Sequence, residues 1–210
     1  MKIVIFGASG RTGSIILEMA LTEGHYVTAY IRSKRSIVKR HANLKYVVGQ
    51  LNDNQKLKEA ISGADACFSA LGGNSLIHHS PEIIEGIDSI VNVMESEGVK
   101  RFIYLSSIGA GESRSYMPLP LRFLIADLIL RVPLADHTKN ENRIYKSSLQ
   151  WTVIRPGGLN DNDVTDIISY GCEKTHLIGS PSISRASVAV FMLQQLTDLQ
   201  FINRCVWIYE

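Results

Sequence analysis

The stretch GASGRTG, residues 7–13, directly follows the run KIVIF, residues 2–6, and this junction decides the fold. The run is apolar and largely β-branched after its first residue, which predicts a buried strand. Three glycines then lie three residues apart, and a helical period follows them. A strand, a glycine-rich turn and a helix in this order are typical of a turn that binds the phosphates of a dinucleotide.

Each glycine of this turn has a predicted role. Gly7 permits the tight turn, Gly10 lets a pyrophosphate approach the backbone, and Gly13 lets the helix pack closely on the sheet. The start of the helix offers free N–H groups and a positive dipole end to the phosphates. A plain strand-to-helix turn without a ligand is the alternative. The residues that complete the predicted cofactor-binding loop are Ala8, Ser9, Arg11 and Thr12.

Short β-branched runs alternate with helical periods along the chain, which is typical of a parallel sheet built from βαβ crossovers. We therefore predict an α/β fold: a doubly wound parallel sheet (Rossmann-like) with helices on both faces, formed by residues 1–210 as a single NAD(P)-binding domain. Predicted helices end at Gly24, Gly63 and Gly98, each where a left-handed cap would fall. The predicted strands are residues 2–6, 26–31, 44–48, 65–71, 101–106 and 151–156.

The composition fits a soluble globular protein, with 45 % hydrophobic residues, a formal net charge of +2 and a mean hydropathy of +0.05 over 210 residues. So small a charge does not favour a nucleic-acid partner. No secretory signal pattern precedes the first strand, so we expect a cytoplasmic location. The longest apolar stretch, residues 119–134, is interrupted by Arg122, Asp127 and Arg131, which is wrong for a membrane span, and we expect no membrane partner. Three well-separated cysteines indicate neither a disulfide framework nor a metal site.

Three motifs together resemble the atypical branch of the short-chain dehydrogenase superfamily, which contains NmrA-like proteins and the flavin reductase or biliverdin reductase B family. They are GASGRTG, YLSSIGA (residues 104–110) and LQWTVIRPGGL (residues 149–159). The segment DHTKNENRIYKSSLQWTVIRP, residues 136–156, is particularly specific, because the biliverdin reductase B family carries an Asp-His pair at the same distance before its proline-bearing strand. The resemblance covers nearly the whole chain.

The end of the second predicted strand indicates which dinucleotide binds. An NAD site places an acid there for the ribose hydroxyls, whereas a 2′-phosphate needs cations. The sequence has Arg32, Ser33 and Arg35 and no acid, and a guanidinium can hold a phosphate through two hydrogen bonds. NADP(H) is therefore favoured over NAD(H), with Arg11 as an additional cation. The alternative is that the basic run 32–41 is a solvated helix face.

The third and fourth predicted strands are followed by candidate adenosine contacts. The resemblance places an acid near the adenine amine after the third strand, where this chain has Gln50, next to Leu51. An amide can still hydrogen-bond to the adenine edge. After the fourth strand, Ala70, Leu71 and Gly72 form a small-residue turn that could pass beneath the adenosine ribose. A tight turn with no ligand contact is the alternative.

Catalysis in the main short-chain dehydrogenase line depends on a Tyr-x-x-x-Lys pair. The one such string, Tyr170 to Lys174, follows the WTVIRPGG strand instead of preceding it, and we interpret it as a coincidence. At the expected helix position, Pro133 stands where the tyrosine would be and His137 where the lysine would be. His137 is thus a candidate contact for the nicotinamide ribose or a weak proton source near neutral pH. An ordinary surface histidine is the alternative.

Two serines lie at the end of the fifth predicted strand, beside the expected nicotinamide. The resemblance matches Ser107 to a family serine near the cofactor ring, where its hydroxyl could bond to a substrate carbonyl or to the carboxamide, and Ser106 precedes it. The resemblance also places the backbone beside Pro156 against the carboxamide. We therefore predict Ser107 and His137 as catalytic and Ser106 and Pro156 as cofactor-binding.

Residues 107–135 and 157–185 are expected to supply most of the substrate side. The segment 111–131 lies within the first range and fits three alternatives: a flap over a flat apolar pocket, a helix for self-association, or a core helix with a 3.6-residue apolar period.

The predicted function is that of an NADPH-dependent oxidoreductase that transfers hydride to a flavin, a quinone or a tetrapyrrole-like acceptor. Such an acceptor can draw its proton from solvent, which is compatible with the missing tyrosine. The alternative is a non-catalytic, NmrA-like redox sensor that binds NADP(H). The sequence leaves open whether the protein is a monomer or a homodimer. A sugar-nucleotide epimerase would need the tyrosine and is disfavoured.

Overall fold

The computed structural model describes residues 1–36, 39–73, 75–174 and 181–210. The strands are β1 (Lys2–Phe6), β2 (Tyr26–Ile31), β3 (Leu44–Val48), β4 (Ala66–Ser69), β5 (Arg101–Leu105), β6 (Gln150–Pro156), β7 (Gly158–Asn160), β8 (Ser169–Gly171), β9 (Ser182–Ser184) and β10 (Arg204–Tyr209). The helices are α1 (Arg11–Thr22), α2 (Asn54–Ile61), α3 (Pro81–Ser96), α4 (Leu119–Leu121), α5 (Arg131–Tyr145) and α6 (Arg185–Gln194). A π-helical stretch, Arg122–Ile129, continues α4, and short 3₁₀ segments occupy Lys34–Ser36 and Gly111–Tyr116.

The central sheet has eight strands in the order β3-β2-β1-β4-β5-β6-β10-β8. All neighbours are parallel except β8, which pairs antiparallel with β10 at the edge. Strand order reverses between β1 and β4. The predicted doubly wound sheet is confirmed, and its reversal point is where open sheets of this kind bind ligands.

Two apolar cores cover the two faces of the sheet. On one face, α1 and α6 pack with residues such as Ile16 and Val188. On the other face, α2, α3 and α5 contribute Leu57, Ile87 and Ile144. Because both faces are buried, strands such as β5 are buried along their whole length, as parallel sheets require.

The predicted helix ends are confirmed in detail. Gly24, Gly63 and Gly98 all have positive φ, between 71° and 79°, immediately after α1, α2 and α3. The fourth predicted strand is shorter than expected and ends at Ser69, because the chain turns there into the small-residue loop. Residues 175–180 of the expected substrate side lie outside the described residues.

None of the helices in the described ranges is both long enough and apolar enough to cross a membrane.

Candidate functional site

The glycine loop has the close contacts that its sequence predicts. Gly7 has φ +81°, and a side chain there would place Cβ 2.7 Å from the carbonyl oxygen of Ala70. The Gly10 N–H donates to the carbonyl of Gly7 at 2.9 Å and closes the turn. At Gly13 a Cβ would lie 2.1 Å from the Gly7 carbonyl oxygen, so α1 packs directly on the turn. The loop accepts only glycine at Gly7 and Gly13 without movement of the backbone.

The N-terminus of α1 is left open to a ligand. Gly10 is its N-cap and provides no side-chain acceptor, and no acidic residue lies in the first turn. The first N–H groups of a helix need an acceptor, and together with the helix dipole they favour an anion. This arrangement fits the pyrophosphate of a dinucleotide.

Two cavities meet over the reversal point of the sheet. The larger has a volume of about 790 Å³ and the smaller about 290 Å³. Together they form a groove along the carboxyl ends of the strands, and its two compartments correspond to the two halves expected of a dinucleotide site. The residues that line both cavities are Ser9, Gly10, Ala70, Leu71 and Gly72, all of them predicted as cofactor contacts.

The smaller cavity lies on the expected adenosine side. Arg32 and Leu51 line it, as predicted, and so does Tyr30. The Tyr30 hydroxyl donates to the backbone carbonyl of Gln50 at 2.7 Å, which holds the chain after β3 against β2. Burial raises the pKa of Tyr30 to about 12, so the phenol keeps this proton.

Not every predicted cofactor residue lines a cavity. The structure places Gly13 behind the loop, in the contact between α1 and the turn. The 3₁₀ turn after Arg32 leads the chain away from the cavity. In this turn the Arg35 N–H donates to the Ser33 hydroxyl at 3.2 Å. The basic run 32–41 is only partly described, since residues 37 and 38 lie outside the described ranges. The predicted residues that do not line either cavity are Ala8, Gly13, Ser33, Arg35 and Gln50.

The larger cavity lies on the expected nicotinamide and substrate side. It brings together the predicted residues Ser106, Ser107, His137 and Pro156, with Arg11 and Thr12 at the end of the glycine loop. Opposite them stands an apolar wall that comes largely from residues 117–131, which we call the cover segment. The segment lines a pocket, as the first of the three alternatives for this region expects, and its Ala126 is buried in the core. The apolar wall consists of Met117, Ile125, Leu130 and Leu134.

His137 is fixed by a hydrogen-bonded chain. Its Nδ1 lies 2.8 Å from the Tyr104 hydroxyl, and the Asn140 side-chain amide donates to the same hydroxyl at 3.0 Å. Because Asn140 donates, the buried phenol can satisfy its own proton by donating to Nδ1. Burial lowers the pKa of His137, so the ring is neutral near pH 7 and carries its proton on Nε2. The ring therefore keeps one N–H for the cavity that it lines.

A buried ionic network beneath the cavity, which was not predicted from the sequence, fixes the side chain of Ser106. Its hydroxyl donates to Glu141 Oε1 at 2.6 Å. Arg155 donates to both oxygens of Glu141, at 3.0 and 2.7 Å, and to both oxygens of Glu112, at 2.6 and 3.0 Å. The side chains of Arg155 and Glu141 are only 2 % and 1 % exposed. Desolvation opposes the charge on Arg155, but the hydrogen bonds to the two carboxylates outweigh it and raise its pKa.

Two features of the sequence indicate this network. Arg155 follows the apolar residues Val153 and Ile154 in the middle of the sheet and immediately precedes Pro156, and Glu141 stands one helical turn after His137. A charged residue at a buried strand position is rare unless it is paired. The network therefore holds α5, β6 and the 3₁₀ turn at Gly111–Tyr116 together beneath the cavity.

Arg11 is engaged differently from the prediction. Its guanidinium pairs with Asp161, in the loop after β7, and Arg185 at the start of α6 donates to the same carboxylate at 2.7 Å. Both arginines line the larger cavity. One carboxylate thus bridges two cations at the edge of the groove, and Arg185 was not anticipated.

A second histidine was also missed. His79 lines the smaller cavity, and its Nδ1 lies 2.5 Å from Asp136 Oδ1. The other oxygen of Asp136 accepts from the Ser80 N–H at 2.8 Å. Asp136 is buried on α5 beside His137, so it ties the start of α3 to the helix that carries the candidate catalytic residue.

The fold and the groove define a Rossmann-type protein that binds a nicotinamide dinucleotide. The family model described as NAD(P)H-binding matches residues 7–199, and the chain belongs to this family. The predicted family resemblance is thereby confirmed. Tyr170, of the dismissed Tyr-x-x-x-Lys string, lies on the edge strand β8 and not on a helix.

Relatives and solved structures agree with this assignment. An uncharacterized chloroplastic protein of Arabidopsis thaliana is 29 % identical over 203 residues, covering 93 % of this chain and 71 % of that protein. ChuY, an anaerobillin reductase from Escherichia coli O157:H7, has a similar structure, with a TM-score of 0.85 and 22 % identity over 100 % of this chain and 97 % of its own. A short-chain dehydrogenase/reductase from Veillonella parvula, solved in complex with NADP, has a TM-score of 0.84 and 21 % identity over 100 % and 94 %. At these identities the two structures show the shared fold.

Proposed function

We propose that the protein is an NADPH-dependent reductase of a conjugated acceptor such as a flavin, a quinone or a tetrapyrrole. The observation that carries the proposal is the fixed, neutral His137 in a cavity continuous with the dinucleotide groove. A sensor needs the groove to bind the dinucleotide, but it does not need a side-chain N–H that two buried hydrogen-bond partners orient. The anaerobillin reductase among the similar structures supports a tetrapyrrole as one candidate acceptor.

The groove's residues orient the cofactor. Gly10 and the open N-terminus of α1 would hold the pyrophosphate, Arg32 would hold the 2′-phosphate, and the backbone next to Pro156 would hold the carboxamide. When bound, NADPH supplies the hydride. The protein supplies placement and a surface that excludes water.

The larger cavity's residues receive the acceptor. Residues from the two ranges 107–135 and 157–185 face the glycine loop across this cavity, so an acceptor would lie between the cover segment and the cofactor. Its apolar wall suits a flat conjugated ring. Nε2–H of His137 can donate to a carbonyl or ring nitrogen that gains charge on reduction, and Ser107 can donate a second hydrogen bond.

The decisive experiment is to follow NADPH oxidation with FMN, riboflavin, a short-chain quinone and biliverdin as separate acceptors. We expect turnover with at least one of them. Tight NADPH binding with no turnover on any acceptor would favour the non-catalytic sensor instead.

The preference for NADP(H) is testable at Arg32. Arg32→Ala should weaken NADPH binding by about tenfold, the value of one charge-assisted contact, and leave NADH binding nearly unchanged. Arg35→Ala is the matched control, because Arg35 does not line the cavity and its loss should change neither affinity. Dissociation constants from fluorescence titration provide the measurement. Equal losses for the two cofactors would contradict a 2′-phosphate contact.

The role of His137 is testable through its hydrogen-bonded chain. His137→Ala should lower kcat by about a hundredfold, as expected for loss of a positioned hydrogen-bond donor to the charge that develops on the acceptor. Tyr104→Phe removes the partner of Nδ1 and should lower kcat by about tenfold, with NADPH affinity unchanged. In Tyr104→Phe, the NMR signal of the Nε2 proton should weaken because the tautomer is no longer fixed. Unchanged turnover in His137→Ala would remove this residue from the catalytic group.

A further inference from the structure

The cover segment exposes a broad apolar surface. Its outward side chains include Leu119, Phe123 and Leu128, which are 77 %, 63 % and 70 % exposed, together with Leu124 and Ile129. Isolated exposed apolar residues are common, but a contiguous group of this kind marks an interaction site. The π-helical hydrogen bonding, with the Leu130 N–H donating to the Ile125 carbonyl at 2.7 Å, keeps these side chains on one side.

The opposite side of the same segment faces inward. Ala126 is buried, and Ile125 and Leu130 line the larger cavity. The segment is therefore a single layer of chain that separates the cavity from the apolar outer surface. A molecule that contacts the outer surface therefore lies one helix diameter from the proposed acceptor site.

Once ion pairs are taken into account, the charges that remain on this segment, among the described residues, are positive. Asp127 pairs with Arg114 at 2.5 Å, and Glu112, just before the segment, pairs with Arg155. Arg122 and Arg131 have no carboxylate within 4.0 Å among the described residues. The apolar surface is thus flanked by two uncompensated positive charges and by no uncompensated negative charge of its own segment.

The loop before α3 carries a second exposed apolar pair. Leu76 and Ile77 lie two to three residues before His79, which bonds to Asp136 on α5. The cover segment ends at Arg131, where α5 begins. Both apolar groups are therefore connected to the N-terminal part of α5.

We propose that this surface, formed by the cover segment and residues 76–77, docks on an anionic lipid bilayer. Apolar side chains that enter the boundary between headgroups and acyl chains, with arginines at the level of lipid phosphates, are the pattern of a helix that lies in a membrane surface. The same arginines that break the stretch as a membrane span favour this position, so the proposal departs from the sequence-based expectation of no membrane partner. If the proposed reductase function holds, the bilayer delivers a lipid-soluble acceptor to the cavity behind the segment.

The test is sedimentation of the purified protein with phosphatidylcholine vesicles, with or without phosphatidylglycerol. We expect binding that increases with the anionic lipid. Phe123→Ser with Leu128→Ser should weaken it by at least about tenfold, and Arg122→Gln and Arg131→Gln by about fivefold each. Leu199→Ser, at an exposed leucine in the turn after α6, is the matched control and should bind as the wild type does.

Two outcomes would overturn the proposal. One is the absence of binding to anionic vesicles. The other is a dimer in size-exclusion chromatography that the Phe123→Ser and Leu128→Ser variant dissociates, since the surface would then be an interface between two copies. Oxidation of NADPH with a water-soluble quinone, measured without vesicles, separates the two proposals: its failure in the wild type would overturn the reductase and leave vesicle binding to be decided by sedimentation.

Discussion

Replacing Arg155 by methionine should lower the free energy of unfolding by about 3–5 kcal/mol, because it leaves the Glu141 carboxylate buried without its cationic partner. Glu141 would retain only the Ser106 and Tyr145 hydroxyls as donors, and both are neutral. Methionine fills much of the volume of arginine, so a cavity contributes little. Urea denaturation followed by circular dichroism measures the change.

Glu112→Gln is the control for this prediction. Glu112 belongs to the same network, but its side chain is 58 % exposed, so its loss should cost no more than about 1 kcal/mol. The double variant Arg155→Met, Glu141→Gln should recover part of the stability, since no buried charge remains. Equal losses in Arg155→Met and Glu112→Gln would show that burial is not the source of the effect.

Gly13→Ala should destabilise the protein by about 3 kcal/mol and weaken NADPH binding by more than tenfold. The added methyl carbon would lie 2.1 Å from the Gly7 carbonyl oxygen, and that atom belongs to a turn with no room to move. The gain in helix propensity, about 1 kcal/mol, is smaller than this clash. Thermal unfolding and NADPH titration measure the two effects.

Gly72→Ala adds the same methyl group where no other atom lies within 4 Å, so its stability should stay close to that of the wild type. If Gly13→Ala were as stable as Gly72→Ala, the close packing of α1 on the turn would not be the reason for glycine at this position.

The sequence was sufficient for the features that depend on local pattern. The strand-turn-helix of residues 2–22 and the glycine that follows each early helix depend on backbone sterics within a few residues, and the structure has them as predicted. The groove followed from topology, because the turns after parallel strands converge at one edge of the sheet.

The remaining features depend on contacts between distant parts of the chain. Glu141 pairs with Arg155, which lies on another element, and His79 is held by Asp136, fifty-seven positions away in the chain. The sequence also did not indicate which of two nearby arginines faces the cavity, because this depends on the 3₁₀ turn that follows Arg32 and contains Arg35. The periodicity of the cover segment did not distinguish a π-helix from an α-helix over so few turns.

The hydrogen-bonded chain that ends at His137 also determines where the proton for the acceptor comes from. Asn140 only donates to Tyr104, and burial raises the pKa of that phenol far above neutrality, so the interior cannot pass a proton outward. The Nε2–H of the neutral ring therefore serves as a hydrogen-bond donor, because giving that proton up would leave an imidazolate. In the proposed reductase, the proton that completes the reduction comes from water on the cavity side. Proton delivery is then coupled to water entry, and a solvent deuterium isotope effect on turnover should shrink when added viscosity slows product release, because proton transfer then limits turnover less.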